Sequence, residues 1–198
     1  MTRLLPTLGL MLLAAAALMA PRVAAADTYQ VDLIVFTQDD AAGEAPLPLQ
    51  LADVHDALDP ADTGALHAAG IEMLNDADSQ LNRIWAALGR IHRYRRLAQL
   101  SWLQTDPPEG RGPVLHVSTP ATVQTGAGPV HELDGTVSLH GGFYLHVDTD
   151  LIWTVPASGD APAATWRLDE NRRVRLNEVH YLDGARLGAI TRVTKIKR

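Results

Sequence analysis

The chain contains no cysteine. That excludes disulfides, thiolate metal ligands, a Cys-His nucleophile pair and acylation at a lipobox cysteine. Lysine is nearly absent as well: the two lysines, Lys195 and Lys197, stand at the C-terminal end. A buried Schiff-base lysine therefore has no candidate, and no serine is placed for the Ser-x-x-Lys pattern. Gly-x-Ser-x-Gly, His-Glu-x-x-His and His-x-His are all missing. No internal repeat recurs at a fixed period. Residues 27–82 hold 12 acidic residues and no Lys or Arg, whereas residues 83–198 hold 15 basic against 11 acidic ones. From residue 27 onward the balance is 15 basic against 23 acidic residues, a net −8, which excludes generic nucleic-acid binding. A local basic patch for an anionic polymer remains open, because 165–198 carries nine basic residues against four acidic ones.

The first residues read as a leader. "MTR" supplies a positive charge, "LLPTLGLMLLAAAALMA" an apolar run, and "AAA" at 24–26 small residues before a cut at Asp27. This is the pattern of a secretory signal peptide over 1–26. A membrane anchor is the alternative, against which Pro6 and the cleavage-site residues argue. No later stretch approaches the roughly 18 apolar residues that a span needs, so no membrane insertion is expected after cleavage. The remainder, 27–198, is long enough to bury a core without disulfides and is expected to form a single domain.

"YQVDLIVF" (29–36) reads as a buried strand. Residues 39–75, rich in Ala, Pro, Asp and Leu, read as a long, poorly ordered acidic loop, partly helical in "LHAAGIEML". In "DADSQLNRIWAALGRIHRY", Leu81, Ile84, Trp85, Leu88 and Ile91 recur at helical spacing, and Asp76 or Asp78 can cap the start. This is the main helix, and its Trp85 stripe is core packing. "RRLAQLSWLQ" alternates as a strand, with Ala98, Leu100 and Trp102 on one face. "VLHVST" is a further strand, and "ELDGTVSLHGGFYLHVDTDLIWTV" is two strands joined at Gly141-Gly142. "TWRLDENRRVR" and "AITRVTKI" close the series, separated by a turn region around Asp183-Gly184. The expected fold is α+β: a largely antiparallel β-sheet with one main helix packed on one face.

Two segments carry candidate chemistry. In "FYLHVDTDLIW" (143–153), period two puts Tyr144, His146, Asp148 and Asp150 on one face and Phe143, Leu145, Val147 and Leu151 on the other. A histidine and two acids could ligate a metal, but no second segment closes such a site, and cross-strand ion pairing is the competing reading. In "ENRRVRLNEVHYLDG" (170–184), Arg172, Arg173 and Arg175 precede Glu178, His180, Tyr181 and Asp183. Arginine forks grip carboxylates and phosphates in two-point contacts. These arginines either satisfy neighbouring acids in a structural network or face a groove and hold an anionic ligand. Glycosidase chemistry needs a carboxyl pair across a cleft, and nothing selects one.

"YQVDLIVF", "LSWLQ", "GGFYLHVDTDL" and "RRVRLNEVHYLDG…LG", in that order, resemble the CsiV family of exported Gram-negative proteins. The resemblance runs from residue 29 to about 192 apart from 39–75. It implies a periplasmic, non-enzymatic, peptidoglycan-binding accessory factor needed for cell shape, with no cofactor. It further implies as partners a class A penicillin-binding protein and its outer-membrane lipoprotein activator. The matching positions are Tyr144, Leu145, His146, Arg172, Arg173, Arg175, Glu178, His180, Tyr181 and Asp183. Without Leu145 and with Asp148, they form the candidate ligand-binding set. Where the family pattern continues His-Tyr-x-Asp with His-Pro, this chain has Gly184-Ala185, which argues against a histidine function at that turn. Two other readings compete: a protein–protein adaptor of the envelope without glycan contact, and a metal- or carboxylate-dependent wall hydrolase using His146, Asp148 and His180.

Overall fold

The computed structural model describes residues 26–39 and 45–197; the leader read at 1–26 lies outside them but for Ala26. In chain order the strands are β1 (Thr28–Gln38), β2 (Leu47–Pro48), β3 (Ile71–Met73), β4 (Tyr94–Thr105), β5 (Val114–Ser118), β6 (Thr122–Thr125), β7 (Gly128–His131), β8 (Leu133–His140), β9 (Leu145–Val155), β10 (Ala164–Val174), β11 (Val179–Asp183) and β12 (Leu187–Ile196). Two short helices precede β4: α1 (Thr63–Ala68) and α2 (Asn82–Leu88). The strands build two five-stranded antiparallel sheets, in the orders β11-β12-β1-β4-β3 and β2-β10-β9-β8-β5, beside the small hairpin β6–β7.

Antiparallel pairing agrees with the expectation, but the layering differs from it. Alternate residues of β1 (Val31, Leu33, Val35) meet Val147 and Leu151 of β9 and Leu168 and Val174 of β10 in one buried cluster. The principal core therefore lies between two sheets. A period of two tells which side of a strand is buried, not which partner covers it. The other face of the first sheet carries a second, smaller cluster, Ile34 and Phe36 with Leu81 and Leu88. Here α2 packs, with Ile84 and Trp85 against the same cluster.

Helix α2 is shorter than the stripe suggests. It spans seven residues and stops at Leu88; Ile91 lies beyond it and is exposed. A side chain at the following Gly89 would bring its Cβ within 2.8 Å of the Arg96 guanidinium carbon, which itself lies 4.8 Å from the centre of the Trp85 ring. Asp76 and Asp78 do not cap α2. They form a separate 3-10 turn, and Asn82 Nδ2 donates back to the Asp76 and Ala77 carbonyls at 2.9 and 3.1 Å.

Within the stretch read as a long loop, the described residues hold regular elements. β2 pairs with β10, β3 pairs with β4, and α1 is capped by Asp62, whose carboxylate accepts from the Ala65 N–H at 3.0 Å. The presumed turn region after Asn177 contains β11, an edge strand on β12.

Candidate functional site

The β9–β10 register sets the candidate residues against one another. His146 faces Arg173, Asp148 faces Asn171, and Asp150 faces Asp169. Val147, Thr149 and Leu151 are buried, so these pairs lie on the outer face of the second sheet. Asp150 is held by Arg167 in a two-point contact at 2.7 and 2.8 Å. That hydrogen bond raises the Arg167 pKa further. His146 Nδ1 donates to Asn171 Oδ1 at 2.7 Å, and Asn171 Nδ2 donates to Asp148. His140 Nε2 reaches the other oxygen of Asp148 at 3.0 Å, and the His140 and His146 rings stack with centroids 5.3 Å apart. His146 and Asp148 are thus held in a cross-strand polar network.

Phe143 departs from the expected alternation. β9 begins at Leu145, so Phe143 and Tyr144 belong to the turn between β8 and β9, and Phe143 is 91% exposed rather than buried. Gly142 enters that turn at φ +145°, a backbone region glycine adopts readily and other residues do not. The two rings pack edge to face at 4.7 Å. Arg173 lies over the Tyr144 ring, its guanidinium carbon 3.1 Å from the centroid. Such a contact fixes a long side chain without using its hydrogen-bond donors.

Adjacent residues of a strand face opposite sides, and Arg172 and Arg173 obey this. Arg172 turns to Glu170, whose other oxygen accepts the Asp183 N–H at 3.2 Å. Arg172 therefore belongs to the seam between β10 and β11. Among the described residues Arg175 has one carboxylate in range, Glu178 at 3.8 Å, and its backbone N–H donates to His180 Nε2 at 2.9 Å. Arg173, Arg175, Glu178 and His180 line one small pocket.

Tyr181 and Asp183 sit elsewhere. Tyr181 stacks on Phe36, on the helix-covered side of the first sheet, at 6.1 Å, and its hydroxyl donates to Asp183 at 2.9 Å. Burial, then the Asp183 hydrogen bond and charge, push the Tyr181 pKa up to about 12. A raised phenol pKa means that the folded state binds the proton more tightly, so this contribution is complete below the ordinary value near 10 and is lost as pH climbs toward 12. Alkaline titration followed by phenolate absorbance should show a late ionisation that Tyr181→Phe removes, distinct from that of Tyr29, which burial also raises. An unchanged titration curve in the variant would refute the assignment.

The Tyr144–Arg173 pair opens onto a groove of about 670 Å³ at this end of the sandwich. Tyr29, Gly141, Leu145, Arg175 and Leu176 line it, with Asp27, Asp106 and Glu109 contributing carboxylates. Asp27 is paired with Lys195 Nζ at 2.6 Å, and that hydrogen bond lowers its pKa. A second cleft, about 470 Å³, lies on the outer face of the second sheet, where Asp53, Asp56 and Arg111 approach Asp148 and Asp150.

The structure brings Tyr144, Arg173, Arg175, Glu178 and His180 to one end, beside the network holding His146 and Asp148. Arg172, Tyr181 and Asp183 are directed elsewhere. Among the described residues no group of three His, Asp or Glu side chains is placed to hold a metal. Sequence reasoning missed Asp106, Glu109, His140 and Asn171. His140 could have been found from its place one strand position before the Gly141-Gly142 turn. The loop acids gave no periodic signal.

Among the described residues no helix is long and apolar enough to cross a membrane. No curated protein and no solved structure matches the chain. A sequence model of the family described as "Peptidoglycan-binding protein, CsiV" matches residues 7–196. That match takes in both sheets and the groove end, and the chain belongs to the CsiV family.

Proposed function

We propose that this chain is an exported periplasmic protein that binds peptidoglycan without turning it over, and that the Tyr144–Arg173 end of the sandwich is its contact surface. One observation carries the reading: an exposed aromatic turn, with Phe143 91% and Tyr144 43% exposed, stands beside an arginine that makes no ion pair among the described residues. Aromatic faces suit the apolar faces of sugar rings, and a guanidinium fork suits peptide carboxylates. The family description supports the ligand class. By the same membership we propose that the protein supports a class A penicillin-binding protein together with its outer-membrane lipoprotein activator. Co-purification of the three from envelope fractions tests that partnership, and consistent absence of the synthase would reject it.

The binding surface is tested by co-sedimentation with purified sacculi, assaying the supernatant for released fragments. Arg173→Ala and Tyr144→Ala should each weaken pelleting by about tenfold, the scale of losing one charge-assisted or cation–π-supported contact. Arg172→Ala should leave affinity within about twofold, because Arg172 turns to Glu170. Equal loss for Arg172 and Arg173 would reject the surface, and fragments in the supernatant would reject the non-enzymatic role.

A further inference from the structure

We infer that the groove recognises a free amino-acid head, an ammonium and a carboxylate on one carbon, and so selects stem peptides whose diamino acid keeps its free amine over acceptor stems acylated there by cross-linking. This rests on the peptidoglycan-binding reading above and names the ligand group at that same site.

The groove has walls of opposite charge. Arg173 and Arg175 come from the end of β10, and Asp106 and Glu109 come from the β4–β5 connection. Elsewhere on the surface opposite charges close on each other: Arg167 on Asp150 at 2.7 Å and Arg95 on Glu132 at 2.5 Å. Across the groove they do not. Among the described residues Asp106, Glu109 and Arg173 make no ion pair, and Arg175 has only the long contact of 3.8 Å to Glu178. Nor does the third acid serve, since Asp27 is already committed to Lys195.

Asp106 is also held in place. Its φ is +52°, and its N–H donates to the Asp27 carbonyl at 2.7 Å. A non-glycine residue in that backbone region persists only where its surroundings fix it.

A glycan strand accounts for the cationic wall and the aromatic turn, but neutral sugars offer nothing to two uncommitted carboxylates. A stem peptide with a diamino acid does. Its side-chain head bears an ammonium for the acidic wall and a carboxylate for the arginines, within a groove of about 670 Å³. Cross-linking acylates that amine on an acceptor stem with the carbonyl of a donor stem, whose terminal residue leaves, so the acceptor head loses its positive charge while the donor head keeps its own. Binding at this groove therefore discriminates between the two states of the stem.

The test is calorimetric titration of the exported chain with a soluble disaccharide tetrapeptide carrying meso-diaminopimelate. Two comparison probes are the same molecule acetylated on the free amine and the disaccharide without peptide. Acetylation should weaken wild-type binding about tenfold, and Asp106→Asn with Glu109→Gln should reduce that preference to about twofold or less. Asparagine tolerates a left-handed backbone, so the first substitution preserves the turn. Sacculus binding with equal affinity for free and acetylated probes would overturn this inference and leave the function standing. Amine-dependent binding that survives the double substitution would overturn its assignment to these carboxylates. Binding to neither sacculi nor any probe would overturn the peptidoglycan reading, and this inference with it.

Discussion

Trp102→Ala should destabilise the fold by about 4 kcal/mol, the range for truncating a large buried aromatic. Trp102 is fully buried in β4, where it pairs with Val31 of β1 and with Met73 of β3. Its ring belongs to the cluster shared by the two sheets. Its Nε1 donates to Gln104 Oε1 at 3.3 Å, and Gln104 Nε2 donates to the Leu139 carbonyl of β8 at 3.0 Å. Truncation therefore opens a cavity between the sheets and also leaves the Oε1 of Gln104, the side chain that crosses between them, without its donor. Domains of this size have about 5–15 kcal/mol in total, so the variant should lose between about a quarter and four fifths of its stability. Trp102→Phe keeps most of the volume and loses the indole donor, and about half the penalty is expected. Urea unfolding gives both numbers. A midpoint for the alanine variant equal to wild type would mean that the sheets do not depend on this contact. The same variant should lose sacculus pelleting in proportion to its unfolded fraction. Arg173→Ala should instead lose pelleting with its unfolding midpoint intact.

How much of this was legible before the fold was known varies with the element. β1 announces itself as a nearly continuous apolar run and β4 and β9 by alternation, β5, β8, β10 and β12 read as strands as well, and for β9 the alternation also tells that His146, Asp148 and Asp150 share a face. The partner of each face is another matter. β1 pairs with β12 across most of the chain's length and with β4 across the intervening loop and helices. No local pattern encodes such pairings. Edge strands are also hard to see, because they carry polar residues at their exposed positions. β11 has Val179, Tyr181 and Asp183 exposed, and it reads as turn because Asp183-Gly184 follows it. The arginines are a mixed case. That Arg172 and Arg173 diverge follows from a period of two once the segment is a strand. Which one faces Tyr144 depends on the β9–β10 register. Asp106 and Glu109 share a groove with the arginines only because β4 and β10 end, and β9 begins, at the same edge of the sandwich, and a Pro-rich loop between two strands gives no sign of that.

Asp32→Ala is the second large effect, about 3 kcal/mol, and it should loosen α2 before anything else. Asp32 was the one charge in an otherwise apolar first strand, and it is fully buried. Its parity with Ile34 and Phe36 places it on the side of the sheet that α2 covers. There the carboxylate accepts from Ser101 Oγ at 2.7 Å, Gln30 Nε2 at 3.2 Å and the Gln80 backbone N–H at 3.3 Å. Gln30 Nε2 also donates to the Asp78 carbonyl at 3.0 Å. One side chain thus ties the 3-10 turn and the entry to α2 down onto β1 and β4, in place of a capping residue, since α2 has no side-chain cap. Alanine leaves the buried Ser101 hydroxyl without this acceptor, takes one of its two acceptors from Gln30 Nε2, and leaves the helix held mainly by Leu81 and Leu88. Asparagine keeps one oxygen but turns an amide donor toward other donors, so about 1–2 kcal/mol is expected. Hydrogen exchange separates a local effect from a global one. The alanine variant should speed exchange through 79–88 while amides of β9 and β10 keep their protection, because those strands lie in the other sheet. Uniform acceleration across both sheets would place Asp32 in the global folding unit instead. Folded protein of this variant should still pellet with sacculi, since Tyr144, Arg173 and the groove acids are built from β9, β10 and the β4–β5 connection. Loss of pelleting at full folded occupancy would mean that the helix face, not the groove end, meets the wall.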